Sequence, residues 1–166
     1  MIIQTTRFGE VEVGEQDIIT LPQGLLGFST DRLYVLLDDD NGSPFKWLQS
    51  IERPKLAFVT INPAIAITNY SLALSKEHLQ KLEAAAVEEL SVSVIVTMTK
   101  DLKDVTINLQ GPLIINMKRR LGFQMVVTEG AYSTRQPLFG DKLQLNAEMP
   151  EQRSQKVESP RLAAVG

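Results

Sequence analysis

Few residues in this chain have the type and spacing that chemistry demands. His78 is the only histidine, and it stands among Lys76, Glu77 and Lys81. As a metal ligand it would need carboxylates alone to complete the set, so a solvent-facing helix residue is the favoured reading. Asp38-Asp39-Asp40-Asn41-Gly42 opens like a calcium loop. The bidentate acid such a loop needs after its glycine is missing, and Lys46 and Trp47 stand in that region instead. An acidic turn between two strands is expected. Gly24 and Gly27 in "PQGLLGF" are spaced unlike a phosphate loop and have no Lys-Ser or Lys-Thr after them. They read as turn glycines at positive φ. No Gly-x-Ser-x-Gly elbow is present. Lys118-Arg119-Arg120 is a short basic patch with only Phe123 nearby to stack on a base, which suits a solvated loop better than an RNA platform. Trp47 alternates with Phe45, as a core residue or a partner anchor would.

Composition narrows the classes further. The 166 residues suffice for one domain with a real core. Lys plus Arg number 17 against 20 Asp plus Glu, a mildly acidic balance that disfavours tracking a nucleic-acid backbone and suits a basic protein partner. The absence of cysteine excludes disulfides, thiolate metal sites and cysteine nucleophiles. The N-terminus "MIIQTTRFGEVEV" has no signal-peptide pattern, and no apolar run approaches the roughly 18 residues of a membrane span. A cytoplasmic protein with no membrane association is expected.

The elements that would position these residues are mostly strands. "GEVEVGEQDIITL", "RLYVLL", "FKWLQSI", "LAFVTI", "YSLAL", "LSVSVIVTMT", "VTINL", "PLIINMK" and "GFQMVVTE" are short runs, several with period two, separated by turn signals. Tyr70, Leu72 and Leu74 share one face, as do Val105, Ile107 and Leu109. This pattern predicts a mainly β fold, a small antiparallel barrel-like domain over residues 1–138. One or two short helices are expected between Ser75 and Glu89, with Ser75 as N-cap and Leu79, Leu82, Ala86 and Leu90 near helical spacing. Residues 139–166 lose the alternation and are expected to form a polar, disordered tail.

Physics alone thus reaches a β domain without an assembled catalytic site. The blocks "LPQGLLGF", "PFKWLQSIERPKLAFVTINP", "YSLAL", "NLQGPLIIN" and "GFQMVV", with Tyr132 and Arg135 after them, resemble the flagellar assembly factor FliW family in order and over roughly residues 2–138. The Asn-Leu-x-x-Pro-(apolar)-Ile-Asn block is the most specific, although Gly111 replaces the alanine expected before its proline. The resemblance implies a barrel-like, non-enzymatic protein without cofactors, a monomer on its own. It also implies two exchanged partners: flagellin before export, and the RNA-binding translational repressor CsrA once flagellin has left. The motif residues Pro22, Gly24, Gly27, Phe28, Asn108, Pro112, Asn116 and Gln124 read as structural. The asparagines suit backbone bonding at strand ends, and Pro112 suits a point where pairing stops.

Partner contacts are expected at Phe45, Trp47, Gln49 and Glu52, whose alternation sets mixed apolar and polar groups along one strand face. Two other classes stand beside this reading. An RNA-binding regulator would need Arg7, Lys118, Arg119, Arg120 and Arg135 to form one basic face. A small enzyme would need carboxylates brought together by folding, which leave no local motif.

Overall fold

The computed structural model describes residues 1–39, 41–128, 130, 132–139 and 161–165. In chain order its strands are β1 (Ile2–Thr5), β2 (Gly9–Glu12), β3 (Ile18–Thr20), β4 (Leu33–Asp38), β5 (Lys46–Ser50), β6 (Ala57–Ile61) and β7 (Ser71–Ser75). After helix α1 (Lys76–Lys81) come β8 (Leu90–Thr97), β9 (Thr106–Ile107), β10 (Leu113–Asn116), β11 (Leu121–Gln124), β12 (Gln136–Pro137) and β13 (Arg161–Val165).

Seven strands close on themselves in the order β10-β11-β3-β4-β5-β6-β8, with β8 paired back to β10. All neighbours in the ring are antiparallel except β11 and β3, which meet in parallel through Leu121 and Thr20. The inside is filled by Ile19, Leu21, Tyr34, Leu48, Leu113 and Ile115, with Leu25 completing the cluster. This core is the barrel-like fold that the period-two pattern predicts.

Two layers pack on the outside. The β1–β2 hairpin sets Ile3 and Val13 against Val35 of β4. On another flank β7, α1 and the β9–β12 pair cover Val59, Val92, Val94, Ile114 and Phe123. These layers explain why β10, "LIIN", is buried at every position. Leu113 and Ile115 face the barrel interior while Ile114 meets the outer layer. A strand covered on both faces loses the alternation of a half-exposed one. Tyr70, Leu72 and Leu74 are all buried, as are Val105, Ile107 and Leu109, in line with their predicted faces.

The helix starts where expected. The Ser75 hydroxyl accepts the His78 amide at 3.2 Å, and His78 Nδ1 accepts the Ser75 amide at 3.1 Å, two otherwise orphaned donors satisfied reciprocally. It ends early. Leu82 turns fully inward and Glu83 takes φ 49°, so the spacing through Ala86 and Leu90 becomes a 3-10 turn at Val87–Glu89 and the start of β8. His78 is half-buried and stacks on Phe123 at 5.1 Å between centroids, which corrects its reading as a solvent-facing residue.

The tail expectation divides. Residues 140–160 and Gly166 lie outside the described residues. Residues 161–165 form β13, paired in parallel with β7, and Phe139 is half-buried against the outer core.

Candidate functional site

The motif residues act mainly on backbone groups. Gly24 has φ +64°, and a Cβ placed there would lie 2.3 Å from the Phe28 carbonyl oxygen, so only glycine lets the loop fold over the barrel end. Gly27 has φ +85° with open space around it, and Pro22 is exposed. Phe28 plugs the loop against Phe58, edge to face at 5.1 Å. Gln124 links that loop to the specific motif: its Oε1 accepts the Leu26 amide at 2.9 Å, and its Nε2 donates to the Gly111 carbonyl at 3.0 Å. Asn108 accepts the Gln110 amide at 3.0 Å. Pro112 is buried, and its carbonyl accepts the Met125 amide at 2.8 Å.

Asn116 is the most connected. Its Nδ2 donates to the Leu82 carbonyl at 2.8 Å, and its Oδ1 accepts the Lys118 and Arg119 amides, each at 3.2 Å. One side chain therefore fastens the end of α1 to the β10–β11 turn.

A groove lies beside β5. One hollow of about 420 Å³ is lined by Thr6, Arg7, Trp47, Gln49, Pro54, Lys55 and Ala57. A second of about 450 Å³ is lined by Thr6, Glu52, Arg53, Pro54, Lys55 and Leu56. Thr6, Pro54 and Lys55 belong to both, so the hollows adjoin. The turn between β1 and β2 supplies one wall, and the β5–β6 connection supplies the other. The Thr6 amide donates to the Pro54 carbonyl at 2.9 Å and holds the walls together.

Trp47 forms the inner side. Arg7 lies over its ring at 4.1 Å, and Phe8 meets it edge-on at 5.6 Å, a cation–π contact and an aromatic pair on an indole that is itself half-buried against the outer core. Among the described residues, neither Arg7 nor Lys55 forms an ion pair. Arg53 pairs through two nitrogens with Asp31, which is 3% exposed, and also approaches the Phe28 ring at 5.7 Å. The hydrogen bond to Asp31 raises the Arg53 pKa further above its usual range. The groove is thus locally cationic, with Glu52 the only acid among the described residues that line it, on a chain whose formal charge is -3.

Of the four predicted contact residues, the fold brings Trp47, Gln49 and Glu52 to this groove and leaves Phe45 outside its lining, packed on the outer core. Gln49 requires a correction. It is 0% exposed, and its Nε2 donates to the carbonyls of Ser50 at 3.0 Å and Leu56 at 3.2 Å. It therefore serves as a staple of the β5–β6 connection rather than an exposed contact. Glu52 is exposed but lies beyond the end of β5, so the four residues do not share one strand face. Thr6 and Lys55 were missed because no local pattern ties them to Trp47. Of the basic residues invoked for RNA, Arg7 lies on Trp47, while Lys118, Arg119 and Arg120 belong to the β10–β11 turn.

Elsewhere the chemistry is quiet. Tyr34, inside the barrel, has its hydroxyl pushed up to about 12 by burial, with the Asp31 charge adding to the shift. Among the described residues there is no group of three or more His, Asp or Glu side chains placed to hold a metal ion, and no helix is long and apolar enough to cross a membrane.

Comparison with known proteins agrees with this architecture. The family model described as "FliW protein" matches residues 2–138. A flagellar assembly factor FliW from Geobacter sulfurreducens is 45% identical over 139 residues, covering 84% of this chain and 87% of the relative. One from Natranaerobius thermophilus is 42% identical and covers 86% and 95%. One from Geotalea uraniireducens is 35% identical over 162 residues, covering 96% and 99%, and so reaches into the residues after 138. A crystal structure of the flagellar assembly factor FliW superposes with a TM-score of 0.80 at 35% identity, covering 86% of this chain and 99% of the other.

Proposed function

The chain belongs to the FliW family of flagellar assembly factors, and from that premise we propose that it works in the cytoplasm as a stoichiometric switch between two proteins. In this reading it binds flagellin before export. Once flagellin leaves, the freed protein binds CsrA and lifts its repression of flagellin translation. No bond is made or broken.

The observation that carries this reading is the groove beside β5. A half-buried indole fixed by Arg7 and Phe8 beside the groove is a preformed anchor, and such residues dominate protein–protein binding energy. Arg7 and Lys55, without ion-pair partners among the described residues, give the groove a site for a carboxylate on the docked segment. The net acidity of the whole chain acts at longer range and favours encounter with a protein that carries basic, RNA-binding surface.

Calorimetric titration with purified CsrA and flagellin is the direct test. Each partner should bind saturably, and excess flagellin should release CsrA from its complex, as mass action requires of a shared antagonist. Lys55→Glu and Glu52→Lys replace exposed side chains. At least one should change affinity about tenfold, near 1.4 kcal/mol, with the thermal midpoint unmoved. Gln49 is unsuitable for this purpose, because its substitution would loosen the connection it staples. Binding to neither partner at micromolar concentration would sink the reading, and simultaneous binding of both would refute the exchange.

A further inference from the structure

β7 lies outside the barrel, and its two edges differ. On one, the Ser71 amide donates to the Tyr132 hydroxyl at 3.0 Å. Backbone groups alternate between the edges along a strand, so the Leu72 and Leu74 amides face the other side. There β13 runs parallel, from Arg161 opposite Ser71 to Val165 opposite Ser75. Among the described residues β13 is the only strand paired with β7. Leu162, opposite Leu72, is half-buried against the outer core.

We propose that the Leu72–Leu74 edge of β7 is a strand-docking surface that the chain's own Arg161–Val165 segment occupies in cis, and that an extended partner segment bearing small apolar residues takes the same edge in its place. The geometry favours exchange over permanent closure. The contact is five residues of parallel pairing, weaker per residue than an antiparallel ladder. β13 is tethered through residues 140–160, so it holds the edge by local concentration and yields to a competitor that exceeds it. When it leaves, β7 presents a row of unpaired backbone groups, the template on which strand addition operates. The residues in register with Leu72, Ala73 and Leu74 are Leu162, Ala163 and Ala164, so the sequence that occupies this edge is apolar and small at its centre. This inference stands apart from the flagellin and CsrA reading, since no residue of β7 or β13 lines the groove beside β5.

The test uses the full chain and an Ala163→Pro variant, in which proline removes a backbone donor and obstructs pairing. Hydrogen exchange at the Leu72 and Leu74 amides should be at least tenfold faster in the variant, with β5 and β8 unchanged. A fluorescein-labelled peptide of residues 159–166, standing in for a partner's strand, should bind the variant saturably and the full chain at least tenfold more weakly. Unchanged exchange at β7 would overturn the proposal, as would a peptide that binds neither protein or both equally. A dimer of the full chain that Ala163→Pro dissolves, seen by sedimentation, would overturn the cis arrangement, because β13 would then come from a second copy.

Discussion

Two buried tyrosines separate what packing needs from what hydrogen bonding needs. The Tyr70 hydroxyl donates to the Leu109 carbonyl at 2.5 Å, and burial raises its pKa strongly. The Tyr34 hydroxyl is equally buried but has no hydrogen-bond partner among the described residues. Removing one partner of a buried pair leaves the other unsatisfied and costs about 1–3 kcal/mol, whereas removing an unpartnered polar group costs little. Tyr70→Phe is therefore expected to lose about 1–2 kcal/mol in urea denaturation. Tyr34→Phe should be neutral, or stabilising by up to about 1 kcal/mol. A clear loss in Tyr34→Phe would show that its hydroxyl has a bound partner, such as an ordered water.

At the scale of elements, α1 has a pH-dependent start. His78 Nδ1 must be unprotonated to accept the Ser75 amide. Burial lowers the His78 pKa, the nearby Lys81 charge lowers it further, and Glu77 opposes them. A base with a lowered folded pKa binds fewer protons folded than unfolded, so stability rises with pH through this window. The contribution is complete above the unfolded value of 6.5 and fades as pH falls below it towards the folded pKa. Unfolding free energy from urea denaturation should drop between about pH 7 and 5 more in the wild type than in His78→Gln, by a difference of no more than about 1 kcal/mol, the size of a cap. Equal slopes would mean that the imidazole bond contributes nothing. The same helix shows where propensity yields to packing, since its apolar spacing runs on to Leu90 while Glu83 at φ 49° turns the chain away to bury Leu82.

At the scale of the molecule, closure of the ring is a non-local event. Thr20 meets Leu121 across the parallel β3–β11 pair, and β6 joins β8 only after the chain has laid down β7 and α1. Folds dominated by such pairings must close long loops before contacts reward them, and they fold in roughly milliseconds to seconds. Trp47 is the only tryptophan, and it sits on β5 within the ring. Stopped-flow fluorescence after denaturant dilution should therefore report folding of the barrel in that range. A principal phase completed in microseconds would be inconsistent with a ring assembled from distant strands.

The sequence by itself determined the strands of the barrel, the faces of Tyr70 to Leu74 and Val105 to Leu109, the cap at Ser75 and the family, but not β1, β12 or β13. Each of these is set by neighbours a few residues apart or by a motif read in order. Period two states which side chains share a face, but it does not state what covers that face. For that reason Gln49 looked available for a partner until the 50–56 connection closed over it, and Glu52 looked coplanar with it until β5 ended at Ser50. Only the tertiary structure placed Arg7 on Trp47, forty residues apart in sequence, and Lys55 beside them. Only it laid Arg161–Val165 along β7. Ring closure and strand addition join residues that no local pattern relates, so the groove and the occupied edge exist only once the sheet has closed.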